Sequence, residues 1–100
     1  MNRGHKGRAD DNQTEIVKAL RAIGCSVAIT SAVGSGFPDL VVGRHSCGTL
    51  LLEVKDGRKP PSKRKLTEDE LKFHGSWLGG PIAVVDSVES AIRAVVSATK

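Results

Sequence analysis

Aromatic side chains are nearly missing from this chain: Phe37, Phe73 and Trp77 are present, with no tyrosine, in 100 residues. The core must therefore rest on Val, Ile, Leu and Ala. The shortage also speaks against a protein that grips single strands mainly by stacking on their bases. Cysteine is as scarce. Cys25 and Cys47 form no C-x-x-C, which removes the usual zinc spacing, and both thiols are expected free in a reducing cytoplasm. Cys25 reads as a small buried hydrophobe and Cys47 as a turn residue. There is no signal-peptide apolar segment and no apolar run of membrane length, so no membrane partner is expected. A chain of this length has room for one core and one domain, spanning residues 1–100.

What the sequence has is positive charge, placed unevenly. The formal net charge is +4, which favours a polyanionic partner. Residues 1–10 open the chain as a basic, aperiodic segment that reads as a flexible arm, able to lie on a phosphate backbone. The stretch Asp56 to Lys65 (DGRKPPSKRK) is the most basic. Arg58, Lys59, Lys63, Arg64 and Lys65 surround a Pro-Pro pair, either as a solvated loop or as a set of phosphate contacts.

The elements follow from periodicity. Ile16, Ala19, Leu20 and Ile23 recur at helical spacing and predict a helix over Asn12 to Ala22, stopped by Gly24. Asn12 and Glu15 have the spacing of a capping box at its start. Ser26 to Ser31 and Phe37 to Val42 predict strands, separated by a small-residue loop with Gly34 and Gly36, which suit a tight turn or a close backbone approach to a ligand. Gly43 to Gly48 predicts a connection in which His45 is a solvated turn residue. Thr49 to Lys55 predicts a third strand. Thr67 and Glu70 predict a capping box opening a second helix, with Leu66 and Leu71 at the staple positions and Leu71, His74 and Leu78 on one side. Gly79-Gly80-Pro81 ends it. Ile82 to Val85 predicts a fully buried central strand. A last helix capped by Asp86 or Ser87 presents Val88, Ala91, Ile92, Val95 and Val96. The order is α-β-β-β-α-β-α, an α/β fold with a mixed sheet flanked by helices.

One stretch concentrates the chemistry. GSGFPDLVVG (Gly34 to Gly43) and LLLEVKDG (Leu50 to Gly57) set Asp39 and Glu53 in apolar strand-like runs. Alternation sends Glu53 and Lys55 to one face, with Leu51 beneath them, while Leu50, Leu52 and Val54 enter the core. If the two strands are neighbours, Asp39, Glu53 and Lys55 converge. Two acids and an amine on rigid strands can cradle a divalent metal and an attacking water. A plain ion pair on an exposed edge would be worth under about 1 kcal/mol. The apolar flanks instead mark a central strand, which does not ordinarily hold unneeded charge.

Pro38-Asp39 followed by Glu53-Val54-Lys55 resembles the signature of PD-(D/E)XK nucleases. With LTEDELKFHGSW and GGPIAVV downstream, the chain more narrowly resembles the virus-type replication-repair nuclease (VRR-NUC) domain, from about Glu15 to the last helix. The resemblance implies a restriction-endonuclease-like sheet and a Mg2+- or Mn2+-dependent endonuclease acting on branched or structured DNA. It implies Asp39, Glu53 and the Val54 backbone carbonyl as metal ligands, Lys55 as the catalytic cation, and Glu15 as a further acid looking across from the first helix. Where the family pattern has glutamine, this chain has Glu70, either a cap alone or another carboxylate at the site. His74, one turn on, is either an orienting group for phosphate or water or a half-buried helix histidine. Small stand-alone members resemble junction resolvases that act as homodimers, and the resemblance points to a phage- or prophage-encoded protein of a bacterial cytoplasm with a part in DNA repair. The rival expectation is a non-catalytic nucleic-acid-binding module that keeps the fold.

Overall fold

The computed structural model describes residues 8–45 and 48–98. The elements are α1 (Arg8–Ala22), β1 (Ser26–Ile29), β2 (Leu40–Arg44), β3 (Gly48–Val54), a 3-10 turn (Pro61–Lys63), α2 (Glu68–Ser76), β4 (Ile82–Val85) and α3 (Val88–Ala98). The predicted α-β-β-β-α-β-α order is the observed one. The sheet runs β1-β2-β3-β4, antiparallel across the first two pairings and parallel between β3 and β4. No helix among the described residues is long and apolar enough to cross a membrane.

One face of the sheet makes the core. Leu40, Val42, Leu50, Leu52, Val54 and Val85 point to it and pack against Ile16, Val17 and Leu20 of α1 and Ala91 and Val95 of α3. The parity of β3 is as predicted: Leu51 and Glu53 are buried on the opposite face, outside that cluster. Helix α2 stands on this second side, Glu70 meeting Lys55 there.

Several boundaries differ from the sequence expectation, each for a local reason. Helix α1 begins at Arg8, so Arg8 to Asp10 belong to a helix and not to an arm; residues 1–7 of that arm, and Cys47, lie outside the described residues. Asn12 is consequently inside the helix and caps nothing. Its side-chain amide crosses to the sheet instead, donating to the Lys55 carbonyl at 2.7 Å and the Asp86 carbonyl at 3.2 Å. The buried stripe is Ile16, Val17 and Leu20, and Ile23 is 41% exposed. At the other end the predicted stop holds. Gly24 has φ +96°, and bonds from the Gly24 and Cys25 amides to the Arg21 and Leu20 carbonyls close the helix.

Strand β2 starts at Leu40, three residues late. Pro38 has no N–H to give to a ladder, and its carbonyl is taken by the Thr30 hydroxyl at 2.8 Å. Strand β4 is an edge strand, not a central one: Val85 is buried but Val84 is 44% exposed on the open face. An apolar run shows that both faces can be buried; it does not supply a neighbour. Helix α2 has no fully buried residue, and Leu71 and Leu78, expected to share one side with His74, are 59% and 87% exposed. The side turned inward holds Glu70, Phe73 and His74. At α3, Ser87 is the cap of the two candidates, its hydroxyl accepting the Ser90 amide at 3.0 Å while Ser90 Oγ accepts from the Ser87 amide. Val96 is 52% exposed.

The Asn12 clamp predicts a measurable cost. Asn12→Ala removes two hydrogen bonds and leaves the Lys55 carbonyl to find water, while the Asp86 carbonyl keeps the Gly57 amide at 3.2 Å, so it is expected to lower unfolding free energy by about 1–2 kcal/mol. Urea unfolding would show this as a lower midpoint with an unchanged slope.

Candidate active site

The β2–β3 register pairs Leu40 with Leu52 and Val41 with Leu51. One further step in the same register brings Asp39 opposite Glu53. At that step the side chain replaces the main chain in the ladder: Asp39 Oδ2 accepts the Val54 amide at 2.8 Å, where Pro38 has turned its carbonyl elsewhere. This bond fixes the Asp39 carboxylate beside Glu53. The Asp39 carbonyl in turn accepts the Thr30 amide at 2.8 Å, tying the Pro-Asp step to the end of β1.

Glu53 is 3% exposed, and its Oε1 is a buried acceptor with no hydrogen-bond donor. Burial pushes its pKa up to about 9, and the nearby negative charges of Asp39 and Glu70 add to the shift. Lys55 Nζ lies 3.7 Å from Glu53 Oε2 and 2.8 Å from Glu70 Oε1. Its backbone is clamped on both sides, the amide donating to the Val85 carbonyl at 2.8 Å and the carbonyl accepting from Asn12. Asp39, Glu53, Lys55 and Glu70 therefore form one contiguous cluster on rigid backbone.

Glu70 is the cap, and it also reaches the cluster through Lys55. Its Oε1 accepts the Thr67 amide at 2.8 Å, Thr67 Oγ1 accepts the Glu70 amide at 3.2 Å, and the same Oε1 binds Lys55. Burial works against its charge, but the bonds from Lys55 and the Thr67 amide outweigh that, and its pKa is lowered. The position of α2 depends on Gly36. That residue has φ +84°, and a Cβ there would run into the Asp69 carbonyl. Gly34 serves the expected turn, its carbonyl accepting the Phe37 amide at 3.0 Å, whereas what Gly36 approaches is the backbone of the helix, a contact the sequence did not suggest.

Other candidates lie apart. Glu15 is exposed and lines a separate cleft of about 340 Å³ with Asn12, Asp56, Arg58 and Asp86. His74 is half-buried, and its Nε2 is buried without a partner. His45 is an exposed turn residue, as expected. Of the basic stretch, Arg58 pairs with Asp56 and Arg64 with Asp86, each at 3.1 Å. Lys59, Lys63 and Lys65 are exposed. Asp56, 4% exposed, escaped the sequence reading because Asp-Gly after a strand looks like a solvated turn; the Arg58 amide and guanidinium hold its pKa low.

The donor set fits a hard divalent cation. Asp39 and Glu53 are adjacent oxygen donors, one with an unused buried oxygen. Magnesium commonly takes only one or two protein carboxylates and keeps several waters. Among the described residues no group of three or more His, Cys, Asp or Glu is arranged to hold a metal, so the fit is to a two-carboxylate site of that kind. Compared with models of known protein families, with characterised proteins and with solved structures, the chain matches none.

The buried Glu53 predicts a pH signature. In the unfolded chain it ionises near its ordinary value of 4.5, whereas in the fold it holds its proton to about 9. Between these values the folded state binds more protons, so Glu53's contribution to stability falls as pH rises, by at most about 1.4 kcal/mol per pH unit. Unfolding free energies measured with chelator across this window should converge on, and then drop below, those of Glu53→Gln. Parallel curves for the two proteins would contradict the shift.

Proposed function

We propose that the chain is a Mg2+- or Mn2+-dependent endonuclease of the VRR-NUC type, hydrolysing phosphodiester bonds in branched or structured DNA. The observation that carries this reading is the burial of Glu53 beside Asp39 and Glu70, on a sheet face where the aliphatic core requires no acid. Burial beside Asp39 makes ionising Glu53 costly, so the free protein keeps a proton there; a cation would take that proton's place and let both carboxylates ionise. Such an ion activates water and draws charge from the phosphoryl group.

The protein's own residues would act as follows. Asp39, oriented by the Val54 amide, and Glu53 hold the ion; the Val54 carbonyl, expected as a third ligand, follows directly after Glu53. Lys55 offers a fixed ammonium where negative charge grows on the phosphoryl oxygens, and Glu70 keeps that ammonium in place. Lys59, Lys63 and Lys65 contact the backbone of the nucleic acid, a sequence-independent attraction that weakens with salt. Symmetric cutting of a junction calls for two copies of so small a domain, related by a two-fold axis. A cytoplasmic, phage-derived protein of DNA repair fits the same resemblance.

A second reading is a binding module without catalysis. It is favoured by the Lys55–Glu70 contact of 2.8 Å, which already satisfies the amine as part of a structural ion-pair cluster.

Incubation with a labelled four-way junction, a flap and a linear duplex, in Mg2+, Mn2+ or chelator, separates the two. The endonuclease reading predicts metal-dependent cutting, lost with Glu53→Ala and reduced about 100- to 1000-fold or more with Lys55→Ala. DNA binding by all forms with no cutting by any would leave the binding module.

A further inference from the structure

All three aromatic residues of the chain meet in one ladder. Phe37 and Phe73 touch edge to face, with centroids 5.2 Å apart and planes at 71°. Phe73 and Trp77 stack, with centroids also 5.2 Å apart and planes at 18°. The inner end of the ladder is close in sequence to the carboxylate cluster: Phe37 is two residues before Asp39, and Phe73 is one turn after Glu70. The outer end is open. Trp77 is 38% exposed although Phe73 stacks against its ring.

This arrangement is wasteful for stability alone. A chain with three rings in all gathers them at α2, with Phe73 inside the helix, Trp77 at its C-cap and Phe37 from the loop before β2, while the core proper is aliphatic. A ring stacked on one side and part-exposed suits a flat, π-faced partner. Charge is graded along this side: the first turn of α2 carries Glu68, Asp69 and Glu70, while the exposed Lys72 beyond that turn and the exposed Lys59, Lys63 and Lys65 ahead of the helix supply the positive charge that a phosphate chain would follow.

We propose that Trp77 is a stacking platform for an unpaired nucleobase, so that the substrate class is a nucleic acid with an unstacked nucleotide near the bond to be cut. The proposal rests on the nucleic-acid reading above and narrows it. Glu70 and Trp77 lie two helical turns apart, roughly 10 Å. That span matches about three nucleotides at duplex spacing, and fewer in a splayed strand. Scarcity of aromatic residues weighs against stacking only when the rings are scattered; here they are gathered.

Trp77 is the sole tryptophan, so its fluorescence reports the contact directly. The wild-type protein, in chelator to prevent cutting, would be titrated with a short single strand of thymidylate, a strand of the same length built of abasic sites, and a blunt duplex. Stacking predicts quenching by the thymidylate strand and little by the abasic strand, which keeps the phosphates but lacks the bases. Anisotropy of labelled strands should show Trp77→Ala binding thymidylate about 5- to 100-fold more weakly, with blunt-duplex affinity unchanged and Trp77→Phe restoring most of the loss.

Equal binding and equal quenching by thymidylate and abasic strands would overturn the platform and leave the nucleic-acid reading standing. This comparison uses the wild type alone and does not depend on how the variants fold. Failure of all three probes to bind would overturn both. An emission shift with protein concentration alone, matched by a dimer in sedimentation, would assign the indole to a second copy of the chain and overturn the platform as well.

Discussion

The structure turns on the cost of keeping Asp39 and Glu53 side by side at the end of β3. Nothing in the aliphatic core requires it, since Leu51 shows that the same face can take an apolar side chain. The neighbouring features hold the pair in place. The Val54 amide fixes Asp39, Lys55 sets a positive charge 3.7 Å from Glu53, and Asn12 and Val85 hold the Lys55 backbone. The positive partner is itself secured from outside the sheet by Glu70, whose helix comes close only because residue 36 lacks a Cβ. Local chain chemistry, sheet register and helix docking thus serve one charge arrangement.

Much of this was legible in the sequence, and the legible parts share a cause. Alternation along β3 correctly separates Leu50, Leu52 and Val54 from Glu53, because a strand's parity is a covalent property of the chain. The Thr67–Glu70 capping box is equally local, and so is the stop at Gly24. The antiparallel neighbours that bring Asp39 to Glu53 could be anticipated from the short connection between β2 and β3.

The misread positions depended on partners distant in sequence. Asn12 has the spacing of a cap but spends its amide on carbonyls 43 and 74 residues away. The Ile82–Val85 run has the composition of a central strand, yet among the described residues only β3 pairs with it. Glu15 sits at a suitable position in the first helix but opens onto the cleft beside Asp56, while the charges bearing on Glu53 come from Asp39 and Glu70. Phe73 and Trp77 are neighbours by helical spacing, but that Phe37 joins them was invisible, since Phe37 meets Phe73 only when the Gly36 loop docks on α2.

The central claim is that Asp39 and Glu53 are kept together for a divalent cation. Its most direct test is the binding of Mn2+ alone, followed through the paramagnetic resonance signal of the free ion, in the wild type, Asp39→Asn and Glu53→Gln. The account predicts that the wild type removes Mn2+ from solution at a single site and that each substitution abolishes the uptake while the circular dichroism spectrum is kept. No uptake by the wild type, or equal uptake by all three proteins, would contradict it.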